Sequence, residues 1–247
     1  MSFRFKQFFI EDSRCAMKVG TDGVLLGAWA PIDRCAQSRK TATLKVESIL
    51  DIGTGSGLVA RMLMQRCPEA EVEGIDIDEA AVEQAKENFD NLSPTLSTGE
   101  GKLHAHLSRL QDWQGGPYDL IVSNPPYFQN SLKNPDPGRK TARHTDSLSF
   151  SDLIAHSARL LAPHGQLALI LPAEAETEVR RIAAEHSLFS TRITRVYSKA
   201  TKPVRRVLIA FSRQSSDIQP IEDTLVLEDE KGGRSAAYSE LTKDFYL

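Results

Sequence analysis

Cysteine is scarce in this chain: three residues, at 15, 35 and 67, with no CxxC pair among them. An odd number at such spacing argues against a disulfide framework or a cysteine-rich zinc site and fits free thiols in a reducing compartment. No run of about 18 apolar residues occurs, so no membrane-spanning helix is expected. The N-terminus alternates aromatic and basic residues, Phe3-Arg4-Phe5-Lys6, where a secretory leader would carry a continuous apolar stretch. The expected location is therefore cytoplasmic. Nor is there an excess of one charge: 30 Lys and Arg stand against 33 Asp and Glu, a net −3, which does not by itself announce a nucleic-acid partner.

What is present is ordinary globular material, 40% hydrophobic and 26% charged in 247 residues, enough for one sizeable α/β domain with a buried core. Charge is nonetheless unevenly placed. Between Arg180 and Arg213 nine Lys and Arg face a single acid, Glu185, which leaves open an RNA-facing patch or a scattered solvated surface.

Apolar periodicity predicts strands at 46–51, 71–75, 102–107, 119–123, 166–171 and 204–211, and helices at 22–30, 58–66, 79–91, 151–161 and 173–185. A short strand is expected at 8–10, a turn at Pro163-His164-Gly165, and one more strand (224–227) and a short helix near Ser239 in the tail. Strands alternating with helices of these lengths imply a parallel, doubly wound α/β sheet.

Two stretches carry the chemistry. The first, Asp51-Ile52-Gly53-Thr54-Gly55-Ser56-Gly57, stands where the first core strand gives way to a helix. Ligands of open α/β sheets bind at the carboxyl ends of the strands, and glycines there let the backbone turn tightly and approach a ligand. The GxGxG spacing of Gly53, Gly55 and Gly57 is not the GxGxxG of a pyrophosphate-binding turn. Asp76, ending the next strand in Gly74-Ile75-Asp76-Ile77-Asp78, is placed to accept two ribose hydroxyls. Asp51 is placed to reach an ammonium, directly or through water, and Ile77 to line an adenine pocket. Together these fit S-adenosylmethionine. Asp78 reads as a helix N-cap ahead of Glu79.

The second stretch, Asn124-Pro125-Pro126-Tyr127, follows the apolar strand 118–123. A planar nitrogen bound there would donate one hydrogen to the Asn124 side-chain oxygen and one to the Pro125 carbonyl, with Tyr127 stacked on its plane. Alignment for in-line displacement then supplies most of the acceleration, and no strong base is needed. His104 and His106 share one strand face with no third ligand, so no metal is expected. Arg139, Lys140, Arg143 and His144 fit either phosphate contacts or a solvated loop.

Taken with the opening Phe9-Ile10 and Met17-Lys18-Val19-Gly20-Thr21-Asp22-Gly23-Val24-Leu25-Leu26-Gly27-Ala28-Trp29, these motifs resemble the bacterial tRNA-Val (adenine-37-N6) methyltransferases. Ala142-Arg143-His144, Lys202-Pro203 with Arg206, and the closing Tyr238-Ser239 and Asp244-Phe245-Tyr246-Leu247 extend the likeness over nearly the whole chain. The resemblance implies a class I, Rossmann-like, seven-stranded sheet in one domain: 1–40 capping the cofactor, 41–213 the core sheet, 214–247 a C-terminal extension. It implies S-adenosylmethionine as cofactor and the exocyclic amine of adenosine 37, in the anticodon stem-loop of tRNA, as acceptor. A monomer without metal or membrane is expected. Lys18, Thr21 and Asp22 would lie over the cofactor, and Phe128, Lys140, Arg143, His144 and Arg206 on the RNA side. Asn-Pro-Pro-Tyr alone is shared with protein-glutamine and guanine-N2 methyltransferases, so those acceptors remain alternatives. Many class I enzymes place an acid after the third strand for the adenine amine; here Ser108 stands there, with Asp112 four residues on, and either is a candidate.

Overall fold

The computed structural model describes residues 2–34, 44–90, 101–126, 148–213 and 219–246. The chain opens with a hairpin, β1 (Ser2–Arg4) against β2 (Phe9–Glu11), followed by helix α1 (Thr21–Trp29) and a small ladder of β3 (Asp33–Arg34) with β4 (Leu44–Lys45). The core then alternates: β5 (Ser48–Ile52), α2 (Leu58–Arg66), β6 (Glu71–Asp76), α3 (Glu79–Asp90), β7 (Lys102–Leu107) and β8 (Tyr118–Ser123). After it come α4 (Phe150–Leu160), β9 (Leu161–Pro172), a 3-10 turn (Ala173–Ala175), α5 (Glu176–Glu185), β10 (Phe189–Tyr197), β11 (Val204–Ser212), β12 (Ile221–Val226) and α6 (Ala236–Thr242).

The main sheet runs β7-β6-β5-β8-β9-β11-β10-β12. Only β11 is antiparallel to its neighbours, β9 and β10. All six residues of β8 are buried, as a strand covered on both faces requires. Leu120 and Val122 join the layer made with α1, α2 and α3, while Ile121 joins the layer made with α4 and α5. A third cluster packs Phe5, Phe8 and Ile10 of the hairpin onto Val24, Leu58 and Met62. The chain leaves β5 toward β6 and β7, then returns to β8 on the other side of β5. That reversal opens a crevice at the carboxyl ends of β5 and β8.

Three expectations need correction. The sheet has eight strands among the described residues, not seven, because the C-terminal extension adds β12 parallel to β10. Strand β10, at Phe189–Tyr197, has no counterpart among the expected strands. Only Ile193, Thr194 and Val196 in it are buried, and its arginines meet acids of neighbouring elements: Arg192 pairs with Asp223, and Arg195 with Glu176 and Glu222. Its polarity is thus spent on cross-element ion pairs, which hides the strand from an apolar pattern. Finally, Pro163-His164-Gly165 lies inside β9 rather than before it. Tyr118 faces Leu161 and Leu120 faces Gln166, so the expected turn is a large bulge in a continuous strand.

Candidate functional site

A cleft of about 970 Å³ lies over the carboxyl ends of β5 to β8, lined from the glycine turn, from Ile75 to Asp78 and from Ser108 to Gln111, and roofed by residues 15–23. The sequence folds this way because the turn after β5 is built from left-handed glycines: φ is +72° at Gly53, +54° at Gly55 and +78° at Gly57. Gly53 and Thr54 both donate to the Ile75 carbonyl, at 2.9 and 3.0 Å, which fastens the turn to β6. A Cβ at Gly53 or Gly55 would meet nothing within 4 Å, whereas one at Gly57 would lie 2.3 Å from the Phe89 ring. The first two glycines therefore face open space over the strand ends, and the third is needed for close packing of α3.

Two carboxylates flank the turn. Asp51 is 2% exposed. It accepts from the Thr54 hydroxyl at 2.8 Å and from the Ala60 N–H at 3.2 Å. Burial nevertheless pushes it up to about 7, since an ionised carboxylate loses water there. Asp76 accepts the N–H of Gly55 at 2.9 Å on one oxygen and that of Asp78 at 3.0 Å on the other. A carboxylate has about four lone-pair sites, so acceptor capacity remains for ligand hydroxyls. Ile77 is 57% exposed on the cleft wall. Asp78 accepts the Ala80 N–H at 3.0 Å, the capping contact expected of it.

At the other end, Asn124 and Pro126 line the cleft just beyond β8. The Asn124 Nδ2 lies 3.7 Å from the Met17 Sδ, so the roof reaches the acceptor end. Lys18, Thr21 and Asp22 line the cleft from above. Lys18 donates to the carbonyls of Asp12 and Ser13, at 2.7 and 3.2 Å. Arg206 also lines the cleft and pairs with Asp22 at 2.7 Å, joining two residues expected on opposite sides of the site, one for cofactor and one for RNA. Tyr127, Phe128, Lys140, Arg143 and His144 lie outside the described residues, as does Arg139.

Of the two candidates after the third core strand, Ser108 lines the cleft and Asp112 does not. The loop turns back at Asp112, whose N–H bonds the Arg109 carbonyl at 3.1 Å. Sequence reasoning missed Gln111, Cys15, Met17 and Leu148, which also line the cleft. Gln111 follows Ser108 by three residues and could have been found by extending that loop. Nothing in the local sequence marks Cys15, whose thiol is raised to about 11 by burial, with Asp12 and Asp76 adding to the rise.

The basic stretch is largely neutralised. Arg180 pairs with Glu176, Arg181 with Glu185, Lys199 with Glu228, and Arg213 donates to the Ala158 carbonyl. With Arg192, Arg195 and Arg206 paired as described, Lys202 and Arg205 are left as the members with neither an ion pair nor a side-chain hydrogen bond among the described residues. No group of His, Cys, Asp and Glu suited to a metal occurs among those residues, and none of their helices is long and apolar enough to cross a membrane.

The model of the methyltransferase small domain family matches residues 36–188. The tRNA1(Val) (adenine(37)-N6)-methyltransferase of Aeromonas salmonicida is 44% identical over 246 residues, covering 99% of this chain and 97% of the relative. Proteins of the same name from Parabacteroides distasonis and Christiangramia forsetii are 43% and 40% identical with the same coverage. Among solved structures, a predicted O-methyltransferase from Agrobacterium tumefaciens covers 91% of this chain and 96% of its own, with a TM-score of 0.63 and 17% identity. A ribosomal protein L11 methylase from Lactobacillus delbrueckii covers 78% of each chain, with a TM-score of 0.50 and 20% identity. These structural likenesses establish the class I methyltransferase fold.

Proposed function

The chain belongs to the tRNA1(Val) (adenine(37)-N6)-methyltransferase family, and from that premise we propose that it methylates N6 of adenosine 37 in the anticodon loop of tRNA1(Val). The observation that carries the proposal is the placement of Asn124 at the switch point, across one cleft from Asp51 and Asp76. S-adenosylmethionine is the cofactor of this class and supplies an electrophilic methyl group on its sulfonium. The residues fit it: two open left-handed glycines, a buried acid for its ammonium and a second acid for its ribose hydroxyls. Ile77 would cover one face of the adenine, with Ser108 and Gln111 placed to meet its edge. Lys18, Thr21 and Asp22 close the site from above.

At the acceptor end Asn124 and the Pro125 carbonyl each take one N–H of the exocyclic amine, turning the nitrogen lone pair toward the methyl carbon. Tyr127 and Phe128 stack on the base. The nitrogen would take the methyl group as the sulfonium's S–C bond breaks, leaving a neutral thioether, and would then release one proton to solvent, so no general base is required. A base in a single-stranded loop is splayed out at less cost than one in a duplex. Lys140, Arg143 and His144 hold loop phosphates, and Arg206 fixes Asp22 at the rim. The whole chain acts as one domain and one monomer, in the cytoplasm, where its substrate is.

Incubating the protein with radiolabelled S-adenosylmethionine and unmodified tRNA, then digesting to nucleosides, tests the proposal. N6-methyladenosine at position 37 of tRNA1(Val) is the expected product. Label in methylguanosine or in protein glutamine instead would overturn the choice of acceptor while leaving the transfer chemistry intact.

A further inference from the structure

The part of the roof before α1, with the residues that lead into it (12–20), has no regular structure of its own. What fixes it comes from α3. Asn88, 1% exposed, receives the Glu11 N–H on its oxygen at 3.0 Å. Its amide nitrogen donates to the carbonyls of Glu11 and Ser56, each at 2.8 Å. One buried side chain thus ties the root of the roof to the glycine turn below it. Four residues earlier on the same helix face, Gln84, also 1% exposed, accepts from the Ser13 hydroxyl at 3.2 Å and the Arg14 Nε at 3.3 Å. Arg14 also pairs with Glu87. The roof is then folded onto itself, the Asp12 carboxylate accepting the Val19 N–H at 2.9 Å.

A buried amide on a packed helix face costs stability unless its hydrogen bonds are made. Those of Asn88 go to backbone groups of two segments that border the cleft, while the apolar face of α3 is carried by Val82, Ala85 and Phe89. We propose that Asn88 is a positioning residue for cofactor binding, setting the height of the roof over the glycine turn, with Gln84 as its second anchor. The proposal rests on the reading of this cleft as the cofactor site. Asn88 works through Glu11 and Ser56 rather than by touching the cofactor, and through the same roof it sets Met17 against Asn124.

Asn88→Leu keeps the approximate volume and removes all three bonds. With the roof in place in only a fraction of molecules, the apparent affinity for S-adenosylmethionine falls by that fraction, and a rise in Kd and KM of about tenfold is expected. kcat at saturating cofactor stays near the wild-type value, because bound cofactor draws the roof closed. Trypsin should cut after Arg14 and Lys18 faster than in wild type, and saturating cofactor should suppress the difference. A purely structural role would lower Tm and the yield of active protein without moving the KM of the folded fraction.

The surface double variant Ser13→Ala/Arg14→Ala, which does not threaten the core, should raise KM in the same direction and carries the test if Asn88→Leu does not fold. Unchanged cofactor KM in folded Asn88→Leu, or in the double variant should that alone fold, would overturn the proposal. Asp76→Ala serves as the control for the site itself. If it abolishes cofactor binding while the Asn88 and roof variants do not weaken it, only the positioning role fails; if it leaves binding intact, the cofactor reading of the cleft fails and the positioning role with it.

Discussion

On the proposed reading Asn124 and Asp51 divide the work of the cleft between acceptor and cofactor, and their variants should separate accordingly. Asn124→Ala removes one of the two groups proposed to orient the acceptor nitrogen. A misplaced nucleophile costs on the order of 100-fold in rate, so kcat should fall by about that much or more while calorimetry finds nearly unchanged cofactor affinity. A parallel loss of cofactor binding would contradict the assignment. Asp51 makes a prediction in pH. Its ordinary value of 3.8 is raised to about 7 by burial, so in that interval the folded chain keeps a proton that the unfolded chain has released. Stability of the cofactor-free protein therefore falls as pH rises from about 4 to about 7 and is level above, as far as this group decides it. A bound cation favours the carboxylate, so cofactor affinity should move the other way, strengthening toward pH 7 by at most about tenfold per unit. Titrations of wild type and Asp51→Asn check this: the variant should bind more weakly and lose the slope over that interval.

Where the sequence pattern and the chemistry of an element coincide, the element is legible. The bounds of α2 and β7 can be read from sequence because a glycine turn opens one and apolar alternation runs through the other. β10 is not legible, since Arg192, Thr194 and Arg195 satisfy themselves on Asp223, Glu222 and Glu176 from distant parts of the chain. The glycine turn and Asn124 are visible for a similar reason: the roles proposed for them are local and follow from residue type. Asn88 is not, because its partners are backbone groups, one of them 77 positions away. α2 also carries a cost that no pattern predicts. Arg61 is fully buried against the hairpin, its guanidinium 5.3 Å from the Phe8 ring centroid, and none of its three nitrogens has a hydrogen-bond partner among the described residues. Burial pulls it down to about 10, and a cation–π contact offsets only part of the desolvation. Arg61→Met should therefore stabilise the protein by about 1–3 kcal/mol, read as a Tm several degrees higher. A lower Tm would mean that the long side chain is held by contacts an aliphatic one cannot replace. Gly57→Ala should act in the opposite sense. It combines a φ of +78° with a Cβ 2.3 Å from Phe89, so it should lose both stability and cofactor binding, measured by melting with and without ligand.

For the whole molecule, the distribution of charge decides how it meets RNA. A net charge of −3 and a basic stretch mostly consumed by internal ion pairs mean that few cations of 180–213 are available to replace counterions on phosphates. Lys202 and Arg205 are the exceptions. They follow β10, whose carboxyl end shares the rim with β5 and β8, and Arg205 immediately precedes Arg206, which lines the cleft. Replacing both with alanine should weaken tRNA binding and flatten the plot of log K against log salt by about one unit for each phosphate no longer neutralised. Replacing Arg192 and Arg195 should leave that slope alone and lower Tm instead, because their charges already belong to Asp223, Glu176 and Glu222. Filter binding across a salt series, with thermal melts on the same preparations, separates the two pairs. If Arg192 and Arg195 change the slope as much as Lys202 and Arg205 do, the internal ion pairs open on RNA and the basic stretch acts as one surface. If neither pair changes it, the phosphates are held elsewhere, and the basic residues of 133–143 become the next to replace.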